Sequence, residues 1–91
     1  MHGPVLLEFG SAWCGYCRAA QAPIAAAVGA RTRLRHLKIE DGPGQALGRS
    51  FRVKLWPTLV FLADGVETAR LVRPRSEREI AAALDTLDTA P

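Results

Sequence analysis

Residues 5–17 read Val5-Leu6-Leu7-Glu8-Phe9-Gly10-Ser11-Ala12-Trp13-Cys14-Gly15-Tyr16-Cys17, an apolar run, a Gly-Ser break, then two cysteines three positions apart. Pro4–Phe9 has the length and flanks of a short buried strand. From Cys14 to about Val28 the chain is rich in alanine, carries Gln21, Ile24 and Val28 at helical spacings, and stops at Gly29. Pro23 lies inside that helix and removes the amide that would bond the Ala19 carbonyl, which predicts a kink. Cys14 therefore falls where a strand hands over to a helix N-terminus, and the unpaired amides and helix dipole there favour an anion. A thiolate in that position has a lowered pKa and is the species that attacks a disulfide. Cys17, one turn further in, is placed to resolve the mixed disulfide so formed.

Outward from this segment, Leu34–Glu40 reads as a second strand, bounded by Asp41-Gly42-Pro43-Gly44, and Gln45–Phe51 as a short helix. Thr58–Ala63 and Val66–Val72 flank Asp64-Gly65, a strong hairpin signal. Ser76 with Glu79 three residues on makes a capping-box pattern, and Ile80, Ala83, Leu84 and Leu87 form one apolar helical face. The order is βαβ, a helix, a ββ hairpin and a final helix, an α/β fold with a parallel pair completed by an antiparallel hairpin.

With 91 residues the chain is expected to form one domain, residues 1–91. At 48% hydrophobic and 23% charged it has the composition of a soluble globular protein. Its longest apolar stretches, Val5–Leu7 and Leu59–Ala63, are too short to span a bilayer. No leader pattern precedes Val5, so a cytoplasmic location is expected, or a periplasmic one if a leader has been removed. The net charge of +3 comes from scattered arginines and lysines without interleaved aromatics, which argues against nucleic acid as a partner. Two cysteines cannot form a multi-bridge secreted scaffold. A zinc site would need about four ligands, and only His2 and His36 remain to complete one. The redox reading of the pair prevails. No bound cofactor is implied, because the two sulfurs carry both electrons.

Leu6-Leu7-Glu8-Phe9, then Ala12-Trp13-Cys14-Gly15-Tyr16-Cys17, and later Trp56-Pro57-Thr58, together resemble the thioredoxin family over most of the chain. The resemblance implies a minimal thioredoxin-like fold, a four-stranded mixed sheet in the order 2-1-3-4 flanked by helices. It implies thiol–disulfide exchange on protein disulfides, with Cys14 as nucleophile and Cys17 as resolving thiol. Electrons would come from a partner such as thioredoxin reductase or glutathione, and the protein is expected to be a monomer. Pro57 matches the family's cis-proline, which lies against the sulfurs. Trp13 matches the aromatic that packs beside the nucleophile, and Gly15 and Tyr16 the residues between the cysteines. Glu8 stands where thioredoxins carry a buried acid; burial is expected to raise its pKa and fit it to take the Cys17 proton. Lys38 aligns with the lysine that neighbours that acid. Gly65 matches a hairpin glycine.

Three departures limit the transfer. The strand and helix that usually precede the first strand are missing, which leaves Leu34–Glu40 as an edge carrying Arg33, Arg35 and Lys38, charges that discourage edge pairing. Tyr16 replaces the usual proline, as in periplasmic disulfide isomerases, so the reduction potential is expected between about −270 and about −180 mV. Arg73-Pro74 replaces a glycine of the apolar substrate groove and would make it basic, while Trp56 is bulkier than the usual aliphatic residue before the proline. Arg18 would favour the Cys14 thiolate only weakly. An oxidase or isomerase in an oxidising compartment, and a binding module with an idle cysteine pair, are the alternatives.

Overall fold

The computed structural model describes residues 2–88. Its elements are β1 (Pro4–Gly10), α1 (Gly15–Val28), β2 (Arg35–Glu40), α2 (Ala46–Ser50), β3 (Thr58–Ala63), β4 (Val66–Val72) and α3 (Glu77–Asp88). The strands form one sheet in the order β2-β1-β3-β4. β1 runs parallel to β2 and antiparallel to β3, and β3 pairs antiparallel with β4. This is the thioredoxin-like topology that the sequence pattern and the resemblance imply.

Because β1 is central, residues 5–9 are all buried, and its alternating side chains supply both faces. Leu6 packs with Ala20, Ile24 and Ala27 of α1, with Leu59 and Phe61 of β3, and with Ile80, Ala83 and Leu84 of α3. Val5, Leu7 and Phe9 face the other way, against Val60, Leu62, Phe51 and Val53. Each fully buried Leu, Ile or Phe is worth about 1.5–3 kcal/mol, against about 0–1 kcal/mol for an exposed ion pair such as Arg31–Asp85. The two apolar clusters therefore hold the frame on which the site is built.

Local chemistry sets the element ends. Cys14 itself is the N-cap of α1: its backbone is extended and its sulfur accepts the Cys17 amide at 3.1 Å. Pro23 lies within α1, which continues to Val28. The β3–β4 turn has Asp64 and Gly65 at φ 49° and 84°, the paired left-handed residues that a two-residue hairpin needs. A register shift between Phe61 and Leu62 adds one residue to β4. At α3 the Glu79 amide donates to Ser76 Oγ at 3.2 Å, while the Glu79 carboxylate accepts from the Arg75 amide, one residue earlier than a standard capping box.

Candidate active site

The site lies where β1 ends, α1 begins and the β2–β3 connection returns to the sheet. Both cysteines are free thiols. Cys14 is partly exposed at the helix terminus, and Cys17 is 6% exposed beneath it. The Trp56–Pro57 peptide bond is cis, as the resemblance implies, and Pro57 is buried. The Trp56 carbonyl lies 3.9 Å from the Cys14 sulfur, which donates to it.

The two thiols differ electrostatically. Partial burial pushes the Cys14 thiol up. Hydrogen bonds from the Cys17 thiol and the Cys17 and Tyr16 amides outweigh this, with help from the charge of Arg73, and hold it below the ordinary thiol value. Cys17 moves the other way, to about 11, through burial first, then its hydrogen bond to Cys14 and the negative charges of Cys14 and Glu8. One sulfur is thus prepared as a thiolate and the other is kept as a thiol.

Glu8 is 5% exposed on the α1 side of β1, but its pKa corrects the expectation. Burial does push it up, yet hydrogen bonds from His36 and Gln21 and the charges of His36 and Lys38 more than offset that, and the carboxyl lies below its usual value. His36 Nε2 is 2.7 Å from Glu8 Oε1, and Gln21 Nε2 donates to Glu8 Oε2 at 2.8 Å. Lys38 neighbours the acid as its register partner in β2 and lowers its pKa by charge, while its Nζ donates to Gln21 Oε1 at 2.7 Å. Gln21 also donates to the Cys17 carbonyl at 2.8 Å, tying the acid's network to the helix turn that carries the thiol. A cavity of about 320 Å³ lined by Glu8, Cys17, Gly10, Ser11 and Lys38, among others, joins the acid to the buried sulfur.

Sequence reasoning missed four residues. His36 and Gln21 hold Glu8, and the sequence signals were that Gln21 lies one helical turn after Cys17 and His36 two positions before Lys38 on the same strand. Asp41 accepts the Trp56 indole at 2.8 Å and packs its carboxylate over Gly48, where any Cβ would collide with it. Gly10 faces Cys17 so closely that an added Cβ would lie 2.7 Å from its sulfur; only glycine leaves the thiol its place.

The remaining residues surround Cys14 unequally. The guanidinium of Arg73 sits 3.9 Å from the centre of the Tyr16 ring, and its Nε donates to the Trp56 carbonyl at 2.8 Å. Gly15 opens α1 with free space where a side chain would project. Trp13, next to Cys14 in the chain, is 89% exposed. Arg18 is exposed on α1. Among the described residues, no three His, Cys, Asp or Glu side chains are grouped to hold a metal ion.

The sequence model of the family described as Thioredoxin matches residues 1–86. Thioredoxin from Mycolicibacterium smegmatis is 32% identical over 89 residues, covering 89% of this chain and 79% of its own. Protein disulfide-isomerase A2 from Pongo abelii is 38% identical over 71 residues, 74% of this chain but only 14% of that much longer protein. Among solved structures, thioredoxin 2 from Pseudomonas aeruginosa PAO1 in its reduced form superposes with a TM-score of 0.85 at 50% identity, covering 99% of this chain and 84% of that one.

Proposed function

We propose that this chain, which belongs to the thioredoxin family, reduces protein disulfides through the Cys14–Cys17 couple. The observation that carries the reading is the asymmetry of the two sulfurs, an accessible one with a lowered pKa at a helix N-terminus and a buried one held as a thiol.

The Cys14 thiolate attacks one sulfur of the substrate disulfide. A Cys14–substrate S–S bond forms, and the other substrate sulfur leaves as a thiolate that takes a proton from water. Cys17 then gives up its proton and attacks the Cys14 sulfur, which forms the Cys14–Cys17 disulfide and expels the second substrate thiolate. Two electrons pass to the substrate, and a reductase or glutathione restores them. Glu8 is the proton acceptor for Cys17, through the cavity that both residues line; its lowered pKa keeps it ionised at neutral pH but makes it a weaker base than burial alone would. His36 and Gln21 position its carboxylate, and Lys38 orients Gln21. Pro57, Trp56, Gly15 and Tyr16 form the rim on which substrate backbone rests, with Trp13 as an exposed apolar contact.

A second reading, an oxidase or isomerase, draws on Tyr16 between the cysteines and on the similarity to a disulfide isomerase. The reduction potential of the couple, measured by equilibration with glutathione, separates the two. A reductant with Tyr16 between its cysteines is expected between about −270 and about −180 mV. A value at or above about −180 mV overturns the reductant reading, and one at or below about −270 mV overturns the role given to Tyr16.

A further inference from the structure

Arg73 is held by more contacts than a solvated loop arginine needs. It occupies the left-handed region at φ 52°, its amide donates to the Pro57 carbonyl at 2.9 Å, and its Nε donates to the Trp56 carbonyl. The guanidinium carbon sits over the Tyr16 ring. With Nε occupied and the guanidinium held over the ring, the two Nη nitrogens form a fork with no acceptor among the described residues. The other arginines that the fold pins by side-chain bonds are neutralised, Arg31 by Asp85 and Asp88 and Arg70 by Glu67.

Arg73 also lines a groove of about 520 Å³ with Tyr16, Ala19, Ala20, Val72, Pro74 and Arg75. It contains two arginines and no acid. A planar fork with parallel N–H groups matches a carboxylate, and one already immobilised loses little freedom on binding it.

We propose that Arg73 is a carboxylate receptor that selects protein disulfides flanked by an acidic side chain. This rests on the reductase reading, because it is the Cys14 sulfur that brings such a substrate here. Cys14 Sγ and Arg73 Nε both donate to the Trp56 carbonyl, so their separation cannot exceed two hydrogen-bond lengths. Consecutive Cα atoms are about 3.8 Å apart, so a Glu or Asp one or two residues from the target cysteine reaches the fork.

The test uses disulfide-linked peptides identical except for Glu or Gln beside the target cysteine. The whole protein is expected to favour the Glu peptide by about five- to tenfold in kcat/KM, mostly through KM. Arg73→Ala should bring the ratio near one, and Arg73→Lys should restore only part of it. Ratios cancel any general change in Cys14 reactivity that these variants cause. Independently of any variant, the ratio in the unaltered protein should fall towards one as salt rises from about 0.01 to about 1 M. The uncharged disulfide of 2-mercaptoethanol should lose less activity than the Glu peptide in Arg73→Ala. Equal reduction of both peptides by the unaltered protein, a preference that survives Arg73→Ala or high salt, or an equal loss with the uncharged 2-mercaptoethanol disulfide overturns the proposal while leaving the reductase reading standing. Reduction of neither peptide overturns both.

Discussion

Cys14→Ser is expected to abolish disulfide reduction, whereas Cys17→Ser should complete one half-turnover and stop with substrate bonded to Cys14. The difference follows from position. Serine at residue 14 can still cap α1, so the fold tolerates it, but its hydroxyl cannot attack a disulfide at neutral pH. Serine at residue 17 leaves Cys14 partly exposed at the helix terminus, still supported by the Tyr16 and Cys17 amides, so the first attack proceeds. What is lost is the only sulfur that can displace the bound partner. Incubation with a reducible protein followed by non-reducing electrophoresis should show a stable adduct for Cys17→Ser and none for the double Cys14→Ser, Cys17→Ser variant. Multiple turnovers by Cys14→Ser would contradict the assignment.

Glu8→Gln should slow release of the mixed disulfide by about 100-fold at neutral pH while leaving its formation nearly unchanged. In the reduced protein the Cys17 thiol is pushed up to about 11. In the mixed disulfide, burial and the Glu8 charge still hold it above the ordinary thiol value, so little of it is ionised at pH 7. A positioned base is worth about 10²–10⁴ in such a step, and glutamine cannot serve as one. Because the Cys17 thiol ionises unaided at high pH, and more readily once the Glu8 charge that helps raise it is gone, the deficit should close as pH rises. The acid limb carries the sign. The fold lowers the Glu8 pKa below 4.5, so the carboxylate is present above that value and is lost as pH falls through the lowered one. The release rate of the unaltered protein should therefore hold steady from neutrality to about pH 5 and fall only below it. The stability that His36 and Gln21 confer on the ionised acid disappears over the same range. Stopped-flow measurement of mixed-disulfide decay gives both limbs, and a fall centred near pH 6–7 would show that burial dominates after all.

The strands and helices were legible because their punctuation is local. Asp64-Gly65 ends β3 and starts β4 at the residues expected, since two consecutive positive φ angles admit few other residue pairs. The strand-to-helix placement of Cys14 followed from a Gly-Ser break between a short apolar run and a helical periodicity. The environment of Glu8 was not legible in the same way. An isolated acid in an apolar strand announces burial, but whether its pKa rises or falls depends on how many donors other elements bring, and those came from His36 on β2 and Gln21 on α1. The resemblance placed Lys38 beside Glu8, but it held no sign that His36, two residues earlier on β2, makes the direct contact. Asp41 beneath Trp56 and the approach of Cys17 to Gly10 are likewise meetings of distant segments, for which periodicity holds no signal. Arg73 was marked as unusual by the glycine it replaces, but its seat on Tyr16 needed the folded loop.

The central claim is that the fold makes two chemically similar thiols unequal, and the most direct measurement is the pH dependence of alkylation at each cysteine of the reduced protein, resolved by peptide mapping. Cys14 should be modified first, along a curve whose midpoint lies below the ordinary thiol value of 9.0, while Cys17 stays protected until pH nears about 11. Equal rates at the two positions, or faster modification of Cys17, would contradict the account.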